Sequence, residues 1–106
     1  MRNQDTPSEK IQVRVDPDLK ELIPGYLENR ERDLVVYQKA LEKDDFDRIV
    51  VLSHSMKGSG GGYGFNDLST IGRALEKAAR KRDKESVRKS IINLTDYLNK
   101  LEIVYD

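Results

Sequence analysis

The chain has one histidine, His54, in the run His54-Ser55-Met56-Lys57-Gly58-Ser59-Gly60-Gly61-Gly62-Tyr63-Gly64-Phe65. An imidazole titrates near neutral pH and can ligate a metal, carry a proton, or attack an electrophile such as phosphorus. Lys57, three residues on, can swing an ammonium toward whatever anion forms at the ring. Glycine inside a helix costs roughly 1 kcal/mol relative to alanine. A segment that repeats it beside a lone histidine needs bare backbone, and the close approach of another protein to the imidazole is one such need.

Most other chemistries lack their parts. There is no second histidine, no cysteine and no carboxylate cluster around His54, so no metal is expected. The lysine precedes the glycines, opposite to a nucleotide phosphate loop, and Tyr63 stands where a dinucleotide motif needs its third glycine. A helical bundle supplies no oxyanion hole for a serine triad. What remains is a nucleophile or a surface histidine of no consequence.

The surrounding elements read as helices. Asp16-Pro17 is an N-cap followed by proline at the first helical position, starting a short helix with Leu19, Leu22 and Ile23. Pro24-Gly25 breaks it and opens a longer helix to about Lys43, with Leu27, Leu34 and Leu41 seven apart. Asp44 or Asp45 caps a helix from Phe46 to about Gly61. Tyr63-Gly64-Phe65 ends that helix, and Asn66 or Asp67 stands near the cap of the next, which runs to about Arg82. Leu68, Ile71, Gly72, Leu75, Ala78 and Ala79 form its buried side. Val87, Ile91, Leu94, Leu98, Leu101 and Tyr105 alternate steps of four and three, a seam that predicts one final helix through Tyr105. Short turns imply antiparallel neighbours. The expected fold is therefore all-α, an antiparallel up-down four-helix bundle over 16–106 with a short additional N-terminal helix. Residues 1–15 are expected as a flexible tail, although Ile11, Val13 and Val15 alternate as a short strand does and have no obvious partner.

At about 100° per residue, the stripe through Phe46, Ile49, Ser53 and Met56 points roughly 130° away from His54, so the ring should face solvent. Asp47, Val50, Val51, Lys57, Gly58 and Gly61 lie on the His54 side. Two valines and two glycines there form a low apolar apron suited to docking.

The run, with Leu75-Glu76 downstream, resembles the signature of histidine-containing phosphotransfer (HPt) domains. That pattern reads His-x-x-Lys-Gly, a glycine six residues further, then a Leu-Glu pair; here His54, Lys57, Gly58, Gly64, Leu75 and Glu76 fill it. The stretch Leu22–Arg30 is also similar to the opening helix of one bacterial branch. The resemblance covers about residues 16 to 104. It implies that His54 accepts a phosphoryl group from a sensor histidine kinase or a receiver domain and passes it to a receiver aspartate. Lys57 would stabilise the phosphoryl charge, and Asp47, Val50, Val51, Gly58 and Gly61 would meet the partner. The partner would bring Mg²⁺, and no cofactor is expected on this chain. It would be a monomeric phosphocarrier, neither an autonomous kinase nor a phosphatase. The alternative is a non-catalytic bundle whose apron binds a partner without phosphate chemistry.

Composition agrees with one small domain. Charged residues are 36% and aromatics 7%, which favours solvated helices over a β-sandwich. The lack of cysteine fits a reducing cytoplasm, and no apolar stretch approaches the ~20 residues of a membrane span. The starting methionine and short tail favour a free-standing protein. Net charge is zero, but residues 1–47 hold 12 acids and 8 bases and residues 48–106 hold 7 acids and 11 bases. The basic stretch Lys77–Lys89 does not extend over the domain, so nucleic acid is not the expected partner. Cations late in a helix suit its dipole.

Overall fold

The computed structural model describes residues 9–106, so residues 1–8 of the expected tail lie outside it. The order is β1 (Ile11–Val15), a 3₁₀ turn at Pro17–Leu19, α1 (Ile23–Glu42), α2 (Phe46–Gly62), α3 (Asn66–Arg80), α4 (Lys84–Lys100) and β2 (Leu101–Tyr105). The four helices pack in a ring, α1 on α2, α2 on α3, α3 on α4 and α4 back on α1, with α2 and α3 the closest pair.

The caps explain where the helices begin. Asp45 accepts the Arg48 backbone N–H at 3.2 Å, and Asp83 accepts that of Ser86 at 3.2 Å. Each satisfies a first-turn donor that the helix leaves open. The α2–α3 turn works differently. Its N-cap position is Phe65, with no side-chain cap, so neither Asn66 nor Asp67 caps α3. Phe65 is fully buried, and its N–H donates to Gly60 O at 2.7 Å. Burial of an aromatic ring fixes this turn instead of a polar cap. Gly64 supplies the left-handed backbone it needs, with φ +92°. At the opposite end of the bundle, Lys84 Nζ meets Asp44 Oδ1 at 2.7 Å and Arg82 meets Asp47 Oδ1 at 3.3 Å, tying the α1–α2 corner to the α3–α4 corner.

The core is one cluster. Tyr37, Ile49, Phe65, Leu68, Leu75, Ala79, Val87 and Leu94 are all fully buried in it. The expected side of α2 is confirmed, since Phe46, Ile49, Ser53, Met56 and Gly60 are its buried residues. In α1 the burial centres on Ile23, Tyr26, Tyr37, Ala40 and Leu41, with Leu27 and Leu34 half-buried beside them.

Two expectations need correction. The short N-terminal helix is a strand followed by a single 3₁₀ turn. Asp16 does cap that turn, accepting the Asp18 N–H at 2.9 Å. The turn does not lengthen because Pro24 must sit near a helix start, where its missing N–H costs nothing, and α1 begins there. The last helix stops at Lys100. Leu101–Tyr105 turns extended and pairs in parallel with Ile11–Val15, Ile11 opposite Leu101 and Val15 opposite Tyr105. So β1, which lies within the expected tail, has a partner, and Leu101 and Tyr105 are not on the helical seam. A short apolar run with β-branched Ile103-Val104 fits either period, and only the distant partner strand decides.

Candidate functional site

His54 lies midway along α2, opposite the buried side, and its side chain is 65% exposed. Its Nδ1 lies 3.1 Å from Glu76 Oε2 on α3. Glu76 is 7% exposed, the one buried acid among the described residues. The same carboxylate takes Lys57 Nζ at 2.9 Å on Oε1 and Arg80 on Oε2, from NH2 at 2.8 Å and Nε at 3.2 Å. Three cationic or polar side chains thus converge on one carboxylate between two helices.

The hydrogen bonds from Arg80 first, then Lys57, and also His54, hold the Glu76 carboxyl down to about 2, against the opposing effect of burial. Glu76 is therefore ionised at neutral pH and can only accept. The hydrogen on the 3.1 Å contact must then sit on His54 Nδ1. In the neutral ring that fixes the tautomer and leaves the lone pair on Nε2.

Close helix contact makes this possible. A Cβ on Gly72 would stand 2.8 Å from Lys57 N and 3.0 Å from both Lys57 Cα and Ser53 O. Only glycine lets the α3 backbone come so near α2 at the level of His54 and Lys57. Ser69 Oγ, one turn earlier in α3, donates to Lys57 O. Gly60 serves the same end of α2, where its Cβ would meet Leu68 Cβ and Ser69 N at 3.0 Å. The glycines of the run thus divide by role. Gly60 packs inward and Gly64 makes the turn. Gly58 has open space in which a Cβ meets nothing within 4 Å, and Gly61 would meet only Ser69 Oγ at 3.7 Å.

The expected apron is placed unevenly. Gly58 and Gly61 are exposed, and Val51 is 67% exposed. Val50 is half-buried and packs against the core. Asp47 is exposed and engaged with Arg82. Lys57 is half-buried, with its ammonium on Glu76. Sequence reasoning gave Glu76 no chemical part and missed Arg80. Their i,i+4 spacing was a readable signal, but the contact with His54 depends on helix pairing.

Because the folded carboxyl titrates below its ordinary 4.5, its contribution to stability is complete above that pH and is lost as pH falls toward about 2. The stability gap between wild type and Glu76→Gln in urea unfolding is expected to shrink as pH falls across this acid window. A gap that stays constant down to pH 2 would contradict the ion cluster.

Among the described residues no group of acids, histidines or cysteines is arranged to hold a metal ion, and no helix is long and apolar enough to cross a membrane. The Hpt domain family model matches residues 21–103. No curated protein and no solved structure gave a match. With a four-helix bundle that presents a lone histidine at the motif position, the chain belongs to the Hpt domain family, the phosphotransfer modules of two-component phosphorelays.

Proposed function

We propose that His54 accepts a phosphoryl group from a sensor kinase or a receiver domain and passes it to a receiver aspartate. The observation that supports this most is the Nδ1 contact to an ionised, buried Glu76 on a ring that is otherwise open. It aims one nitrogen outward and holds the other.

In the transfer, the Nε2 lone pair attacks phosphorus and the bond between phosphorus and the aspartyl oxygen breaks. The aspartate leaves as a carboxylate. The ring, now phosphorylated on Nε2 and cationic, keeps its Nδ1 hydrogen directed at Glu76, whose negative charge stabilises it. Running backward, the same steps return the group to a receiver. Lys57 neutralises phosphoryl oxygens as they arrive. Its ammonium is already 2.9 Å from Glu76, so it needs only a side-chain rotation. Gly58, Gly61, Val51, Val50 and Asp47 form the face that meets the partner. The receiver brings Mg²⁺, and the chain acts as a monomeric cytoplasmic carrier.

Incubation with a phosphorylated receiver or with phosphoramidate tests this. Acid-labile label on the wild-type chain is expected, with none on His54→Gln at unchanged helicity. Equal label on both would reject His54. Lys57→Ala is expected to slow transfer roughly fivefold to tenfold, since one partly exposed charge-assisted contact contributes on the order of 1 kcal/mol. Stopped-time transfer assays read this, and an unchanged rate would leave Lys57 as a partner of Glu76 only.

A further inference from the structure

The face around His54 is electrostatically lopsided. On α2 its exposed residues are Asp47, Val51, Ser55, Gly58 and Gly61, nearly all uncharged. On α3 the side just beyond Glu76 is cationic. At about 100° per residue, Arg80, Arg73 and Lys77 fall within roughly 100° of arc from Glu76, on the side away from the core. All three are exposed, and Ser69 and Asn66 are the other residues of that arc. No acid lies on it. Arg80 is joined to Glu76, whereas Arg73 and Lys77 make no ion pair among the described residues. Cations in the last turn suit the helix dipole, which accounts for Lys77 and Arg80. Arg73 is mid-helix, beyond the reach of that effect.

The strip is contiguous with the reacting centre, because Glu76 Oε2 bridges His54 Nδ1 at 3.1 Å and Arg80 at 2.8 Å. A partner centred on Nε2 of His54 must therefore overlie α3 on one flank.

We propose that the docking partner carries an acidic rim that lies along α3, and that Arg73 and Lys77 steer and orient it over His54. This rests on the phosphotransfer reading above. Charge complementarity of this kind acts on encounter rate and on the choice among partners more than on chemistry. Oriented fields raise association rates by about 10- to 1,000-fold at low ionic strength, and the gain falls as salt shortens the screening length to about 10 Å at 0.1 M. The chain is neutral overall, so steering must come from such a local strip.

The test uses the full chain and the receiver domain of the same cell that exchanges phosphoryl groups with it. Arg73→Glu/Lys77→Glu is expected to lower the receiver-dependent rate at least tenfold at low salt, with the loss shrinking as salt rises. Labelling of His54 by phosphoramidate should stay within about twofold. Arg73→Gln/Lys77→Gln, which does not burden the helix end with acids, should fall by an intermediate factor and carries the test if the reversed variant is poorly folded. Receiver transfer at wild-type rates and with wild-type salt dependence in either folded variant overturns the rim. Absence of label on wild-type His54 from every donor instead rejects phosphotransfer itself, and the rim with it.

Discussion

Gly72→Ala is expected to destabilise the bundle by a net amount on the order of 1 kcal/mol and to slow labelling of His54. The added methyl would stand 2.8 Å from Lys57 N and 3.0 Å from Lys57 Cα and Ser53 O, all backbone atoms of α2. Backbone cannot rotate out of the way as a side-chain end can, so α3 must retreat. Overpacking of this kind typically costs about 1–3 kcal/mol, occasionally more. Alanine recovers part of that through its better helix propensity, roughly 1 kcal/mol. The retreat also carries Glu76, one turn further along α3, away from His54 and Lys57. Stability and labelling rate should therefore fall together in urea unfolding and phosphoramidate assays. A variant as stable as wild type would show that the two helices do not approach as closely as the structure has them.

Gly58→Gln is expected to behave in the opposite way. A Cβ there meets nothing within 4 Å, so the fold has room for any side chain, and helicity should be retained or improved. The new side chain stands one turn from His54 on the same face. A docked receiver must cover that face, whereas a small phosphodonor needs only the ring edge. Receiver-dependent transfer should drop at least tenfold while labelling by phosphoramidate persists. If both survive, the partner does not cover Gly58. Loss of both together with helicity would contradict the open space around it.

Much of this was legible before the structure. His54 faces out because Phe46, Ile49, Ser53 and Met56 set the period of α2, and a helical period is a local property. The starts of α1 and α2 followed from Pro24 and from the Asp44-Asp45 pair, of which Asp45 is the cap, for the same reason. The short N-terminal helix failed for a local reason, at Pro24, and the other failures were of long range. Whether Leu101–Tyr105 is helix or strand depends on β1, about ninety residues earlier in the chain. Helical period already puts Gly60 on the buried side of α2 and Gly58 on the open side, but how closely Gly60 is pressed against α3 is set by the neighbouring helix. Glu76 was visible as half of a Leu-Glu pair, but its place beneath His54 requires α3 to lie against α2 at the Gly72 contact.

The most direct measurement is the position of the phosphoryl group on the ring. The chain, labelled with ¹⁵N at histidine and phosphorylated by phosphoramidate, can be examined by ¹⁵N and ³¹P NMR. Phosphorus is expected to couple to Nε2 of His54, with Nδ1 still carrying its hydrogen toward Glu76. Phosphorus on Nδ1, or on any residue other than His54, would contradict it.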